Sequence, residues 1–167
     1  MPSATLLDLS TIDLDHVAVD RAELDQYLEQ RGTFSVIDHL CYCDVEGGIL
    51  VGVKTIREDD WWAADHIPGR PMFPGVLMIE TAAQIASFDY SKHRIDGESD
   101  ERFVGFGGVD KARFRGVVTP PSRLFLTIRL ERAGSRMFRY AAEAHLEKDG
   151  ALQPRAVFEA TVLGVLL

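Results

Sequence analysis

The sequence predicts an α+β fold in which a bent antiparallel sheet wraps around one buried helix. Three observations carry this. Segments in the second half alternate apolar and polar residues with a period of two, turns containing Gly separate them, and one long central segment is apolar nearly all round. A sheet with one covered face needs something to cover it, and the apolar helix is the only long candidate.

Residues 20–32 read as a first helix. Asp20 caps it, Glu23 completes a capping box, Leu24 and Leu28 give an apolar stripe, and Gly32 ends it. Two strands over 34–43 and 48–56 follow, joined by a hairpin turn at Glu46, Gly47 and Gly48. The central helix is expected over 75–90, with Lys92, His93 and Arg94 just past its end, where positive charge suits the dipole. Strands over 124–130, 137–147 and 156–163 complete the sheet. In the first of these Leu124, Leu126, Ile128 and Leu130 alternate with Phe125, Thr127 and Arg129.

With 167 residues, 46% of them hydrophobic and 26% charged, the chain suits one globular domain over 1–167, its first 33 residues a helical extension. A net charge of -8 excludes nucleic acid as the main partner. Cys41 and Cys43 are too close in sequence for a disulfide and lack further ligands for a metal. They read as free, half-buried thiols pointing to the same side of a strand. Residues 1–10 lack the features of a signal peptide and no stretch suits membrane insertion, so a cytoplasmic protein is expected.

Chemistry concentrates between residues 66 and 84. Glu80 lies inside the apolar helix, with Gln84 one turn on. Burying a charged carboxylate costs several kcal/mol, and a raised pKa that leaves a proton donor is one escape. The plainer alternative is a glutamate satisfied by a backbone amide or a partner subunit. His66 is held by a loop that Pro68, Pro71 and Pro74 stiffen. Alone it is more often a structural residue than a catalytic one. The helix start at Gly75, Val76 and Leu77 offers free N–H groups to a carbonyl oxygen. Base, oriented donors and acid are what removing a proton beside a thioester carbonyl and expelling a β-hydroxyl require.

The run HIPGRPMFPGVLMIETAAQIAS from His66 to Ser87 resembles the signature of the FabZ-type 3-hydroxyacyl-[acyl-carrier-protein] dehydratases, of the FabA/FabZ family with the hot-dog fold. GFGGVDKARFRGVV from Gly105 to Val118 is similar to a second segment of that family. The resemblance implies a lyase of fatty acid or related lipid biosynthesis that makes trans-2-enoyl from 3-hydroxyacyl carrier protein. It implies that His66 and Glu80 are the catalytic pair, supplied by opposite subunits of a homodimer, with hexamers as trimers of dimers. Gly75, with Val76 beside it, would bind the thioester oxygen; Gln84, Pro68 and Pro74 would support the site; no metal or organic cofactor takes part. Glutamate at position 80 favours the FabZ type over FabA. Arg70, Lys111, Arg113 and Arg115 are candidates for docking the acidic carrier protein, or simply solvent-facing charges.

The sequence departs from the family pattern at Asp65 and Ile67 around the histidine, at Pro120, Pro121 and Ser122, and over residues 30–34. Asp65 would raise the imidazole pKa if the two side chains meet. Two rival readings stand beside the dehydratase: a hot-dog acyl thioesterase, and a non-catalytic subunit that binds acyl groups or carrier protein.

Overall fold

The computed structural model describes residues 5–95 and 103–167. Its helices are α1 (Arg21–Tyr27), α2 (Trp61–Asp65) and α3 (Gly75–His93). The strands are β1 (His39–Asp44), β2 (Ile49–Ile56), β3 (Val104–Phe114), β4 (Ser122–Ala133), β5 (Met137–Lys148), β6 (Ala151–Leu152) and β7 (Phe158–Leu166). The sheet runs β1-β2-β4-β5-β7-β3 with every pair antiparallel, and β6 adds to β5. Its concave face holds α3, as expected of a hot-dog fold.

The alternating strands behave as their patterns require. Leu124, Leu126 and Ile128 of β4 and Tyr140, Ala142 and Ala144 of β5 join the main core around α3. Within that core Asp89 of α3 is fully buried. It accepts hydrogen bonds from the Tyr140 hydroxyl, from His93 Nδ1 at 2.9 Å and from Arg94 Nε at 3.2 Å. A buried carboxylate is tolerated only when so surrounded.

Several boundaries differ from expectation. α1 ends at Tyr27 rather than Gly32, and a separate 3-10 turn forms over Gly32–Phe34, so β1 starts at His39. Asp20 caps α1 through the Glu23 N–H at 2.8 Å. The Glu23 carboxylate does not close the box; it pairs with Lys92 of α3. α3 extends to His93, which places Lys92 and His93 inside its last turn.

Cys41 and Cys43 do not point the same way. β1 carries a bulge between Leu40 and Tyr42, which doubles residues on one side and breaks the alternation. Cys41 therefore packs with Val51, Val53 and Phe125 on the convex face, while the half-buried Cys43 packs against the main core.

That convex face is the larger surprise, because it too is partly covered. Among the described residues of the N-terminal extension, α1 is the only α-helix. Residues 5–19 form a strap with one short 3-10 turn at Leu9–Thr11, and Leu9 is buried against Cys41, Val51, Val53 and Phe125. Leu7, Ile12 and Leu14 pack around the same cluster. The strap joins the sheet edge where Val19 and Leu40 exchange backbone hydrogen bonds.

Candidate active site

α2 was not foreseen, and it places His66. The helix is a single turn, and the His66 N–H donates to the Trp62 carbonyl at 2.9 Å as its C-cap. Ile67, Pro68, Gly69 and Arg70 then form a tight turn closed by the Arg70 N–H on the Ile67 carbonyl at 3.0 Å. Pro68 presets the first central position, and Gly69 takes φ 77° at the second, as a type II turn demands. The loop is pinned to the segment before β4 by the Phe73 N–H on the Val118 carbonyl, and to α2 by an edge-on contact of Phe73 with Trp62.

The turn brings the Met72 carbonyl back to His66, where it lies 2.8 Å from Nδ1. A carbonyl only accepts, so Nδ1 carries the hydrogen and the neutral ring keeps its lone pair on Nε2. Asp65 forms no ion pair with His66 among the described residues; the Met72 carbonyl takes the nitrogen instead.

Pro74 is the N-cap of α3 and offers no side-chain cap. Its carbonyl takes the Leu77 N–H at 3.0 Å, so Leu77 is not one of the free donors expected. The amides of Gly75 and Val76 have no acceptor among the described residues. A Cβ at Gly75 would stand 2.9 Å from the Phe114 ring, so this glycine admits an aromatic wall as well as a ligand. His66, Gly75, Val76 and Phe114 share a cavity of about 540 Å³ whose other walls are chiefly apolar, including Met72, Met78 and Val118.

Glu80 does not line that cavity, and it is not buried as expected: it is half-exposed. α3 buries Leu77, Met78, Thr81, Ala82, Gln84 and Ile85 but leaves Val76, Ile79, Glu80, Ala83 and Ser87 less covered, at helical spacing. The helix is apolar all round, yet its own sheet covers one side. Gln84 is buried, and its amide nitrogen donates to Glu80 Oε1 at 2.6 Å and to the Phe34 carbonyl at 2.8 Å.

The four candidate docking cations separate. Arg70 stands exposed on the Pro68–Gly69 turn. Arg115 lines the His66 cavity and pairs with Glu159 at 2.9 Å. Lys111 and Arg113 line a different groove with Arg129, Glu143 and Glu159, because a bulge between Asp110 and Arg113 re-aims them. Among the described residues no cluster of three or more His, Cys, Asp or Glu is placed to hold a metal ion, and no helix is long and apolar enough to cross a membrane.

Comparison with known proteins follows the same line. The FabA-like domain family matches residues 28–156. The 3-hydroxyacyl-[acyl-carrier-protein] dehydratase FabZ of Paramagnetospirillum magneticum is 32% identical over 146 residues, 87% of this chain and 88% of that protein. FabZ of Legionella pneumophila is 32% identical over 129 residues, 77% and 85% of the two chains. Among solved structures, the dehydratase heterocomplex ApeI:P from Xenorhabdus doucetiae aligns with a TM-score of 0.67 at 15% identity, over 86% of this chain and 90% of the other.

Proposed function

The chain belongs to the FabA-like domain family, and from that membership we propose that it is a FabZ-type 3-hydroxyacyl-[acyl-carrier-protein] dehydratase. One observation carries the reading: His66, its Nδ1 committed to Met72, faces the same apolar cavity as the two unused amides of Gly75 and Val76. Nε2 of His66 removes the α-proton of the bound thioester. The Gly75 and Val76 amides hold the carbonyl oxygen as negative charge gathers on it, a contribution of about 10²–10³-fold per donor. A protonated Glu80 gives its proton to the β-hydroxyl, which leaves as water, and the trans-2-enoyl thioester remains.

Glu80 reaches this cavity from the second subunit of a homodimer. Two features support that arrangement. Glu80 is absent from the cavity of its own His66, and it sits in a half-covered apolar stripe of α3 beside Val76, which is 68% exposed. β3, at the end of the sheet, also exposes Phe106 and Phe114. A second copy laid on this edge covers both, and three such dimers give the hexamer. Gln84 holds Glu80 in place. The carrier protein of fatty acid or related lipid synthesis, in the cytoplasm, docks at the rim that carries Arg70 and Arg115.

Purified protein incubated with 3-hydroxyacyl carrier proteins of graded chain length should yield enoyl products, seen by mass spectrometry as loss of water. His66→Ala and Glu80→Gln should each lower the rate about 10²–10⁴-fold. Mixing the two inactive variants should restore part of the activity, because one site of each mixed dimer is intact. Wild-type protein inert on every chain length, or a fully active Glu80→Gln variant, overturns the proposal. Release of free thiol in place of enoyl product would mark a thioesterase.

A further inference from the structure

Beyond the catalytic face, the convex face hides polar groups that neither the core nor the proposed reaction uses. Glu143, His145 and Glu147 alternate along β5 and so share that face. The strap is fastened near the first and the last of them. The Leu6 N–H donates to Glu143 Oε1 at 2.8 Å. Arg123 of β4 grips Glu147 and reaches Asp15 of the strap at 2.7 Å. His145 lies between these two anchors on β5 and is 5% exposed.

Among the described residues the side chain of His145 has no hydrogen-bond partner. Its Nδ1 is buried without a hydrogen bond, as is Thr127 Oγ1 on the neighbouring strand. The charged groups of this face are otherwise engaged or distant. On β5, Glu143 holds the strap and Glu147 holds Arg123. From β4 come Arg123 and Arg129, from β7 Glu159 (paired with Arg115), from β1 His39 and the thiol of Cys41, and from the strap Asp8, Asp13, Asp15 and His16. A proton on His145 Nδ1 would thus be buried with no acceptor waiting for it among the described residues.

We propose that the strap over residues 5–19 is an acid-released cover on the convex face, opened when His145 beneath it takes a proton. The fastenings are light enough for this. Asp15 is largely solvated, and an exposed ion pair adds little to stability. Apart from Val19 at the sheet edge, Leu9 is the only strap side chain fully buried among the described residues.

The direction follows from linkage. Burial lowers the His145 pKa below its ordinary 6.5 while the cover is shut. An opened strap returns it to the ordinary value, so the open form binds the proton more tightly. Closure is therefore complete above pH 6.5 and weakens as pH falls below it, by up to about tenfold per unit. Glu143 acts the other way: burial raises its pKa, so its proton favours the closed form. The two effects oppose each other, and the cover opens where that of His145 prevails.

The two cysteines make the test internal to one chain. Cys41 lies under the strap against Leu9, and Cys43 faces the opposite side of the sheet. The full chain is labelled with a pyridyl disulfide at pH 7.5, 6.5 and 5.5, and the ratio of Cys41 to Cys43 labelling is read by mass spectrometry. The ratio should rise up to about fivefold from pH 6.5 to 5.5, and up to about tenfold from pH 7.5 to 5.5. Glu143→Gln should preserve or steepen the rise, and His145→Gln should flatten it. Leu9→Ala should raise the ratio at every pH. A flat wild-type ratio, a His145→Gln chain that still rises, or a Leu9→Ala chain with an unchanged ratio each overturns the proposal.

Discussion

Replacing Asp89 with Asn tests whether the buried charge network ties α3 to the sheet. The carboxylate is fully buried and takes hydrogen bonds from Tyr140, His93 and Arg94, all of them well shielded. The substitution preserves shape but turns one acceptor oxygen into a donor that faces donors. It also strips Arg94 of its counter-charge. Removing one partner of a buried pair costs about 3–5 kcal/mol, a large share of a stability of about 5–15 kcal/mol. Tyr140→Phe deletes one hydrogen bond to a charged acceptor and leaves the other two, so about 1.5–3 kcal/mol is expected. Because both changes strike one network, the double variant should be less destabilised than the sum, by about 0.5–3 kcal/mol. Urea unfolding of the three variants and the parent measures these values, with equal slopes as the check that the unfolding transition is unchanged. An Asp89→Asn cost below about 1 kcal/mol, or strict additivity, would refute the assignment of the network as a single clamp.

Two further outcomes are expected. Gly69→Ala should cost about 1–2 kcal/mol from its left-handed backbone alone, since nothing lies within 4 Å of the added carbon, while Gly69→Asn should cost less. Equal losses in thermal or urea unfolding would contradict a purely conformational origin. Gln84→Met removes the donor that holds Glu80 while filling its volume; kcat on hydroxyacyl carrier protein should fall about tenfold or more with KM little changed, and a pure KM effect would deny Gln84 a positioning role.

The parts of this fold that were legible in the sequence are those where local pattern and tertiary burial agree. β4, β5 and β7 alternate cleanly because one side faces α3, and α3 itself is too apolar to be anything but central. α2 left little trace: five residues cannot show a helical period, and Trp61, Trp62, Ala63 and Ala64 suit a strand equally. The strap was illegible for a different reason. Leu6, Leu7, Leu9, Ile12 and Leu14 are spaced by the path of the strap over the sheet, not by any regular backbone repeat.

Within the site, the resemblance pointed to residues 66–84, and the structure brings His66, Gly75 and Val76, but not Glu80, onto one cavity. The half-exposure of Glu80 was not readable, because a helix apolar on every side looks the same whether its cover comes from one chain or two. The tautomer of His66 was equally hidden. It depends on the Met72 carbonyl, and backbone carbonyls carry no sequence signature.

The Gln84 amide has a consequence that reaches past its own helix. Its two hydrogens join Glu80 to the Phe34 carbonyl, which lies fifty positions from Gln84 in sequence. The stretch just before Phe34 is Gln30, Arg31, Gly32 and Thr33, one of the segments that, as read from the sequence, stand apart from the pattern of the resembled family. A shift in that loop is therefore transmitted to the carboxylate without any change in the residues beside the substrate. Selection, or a protein engineer, thus has a remote dial on the proposed acid: Glu80 can be swung or released from a surface loop while the rest of residues 66–84 stays untouched.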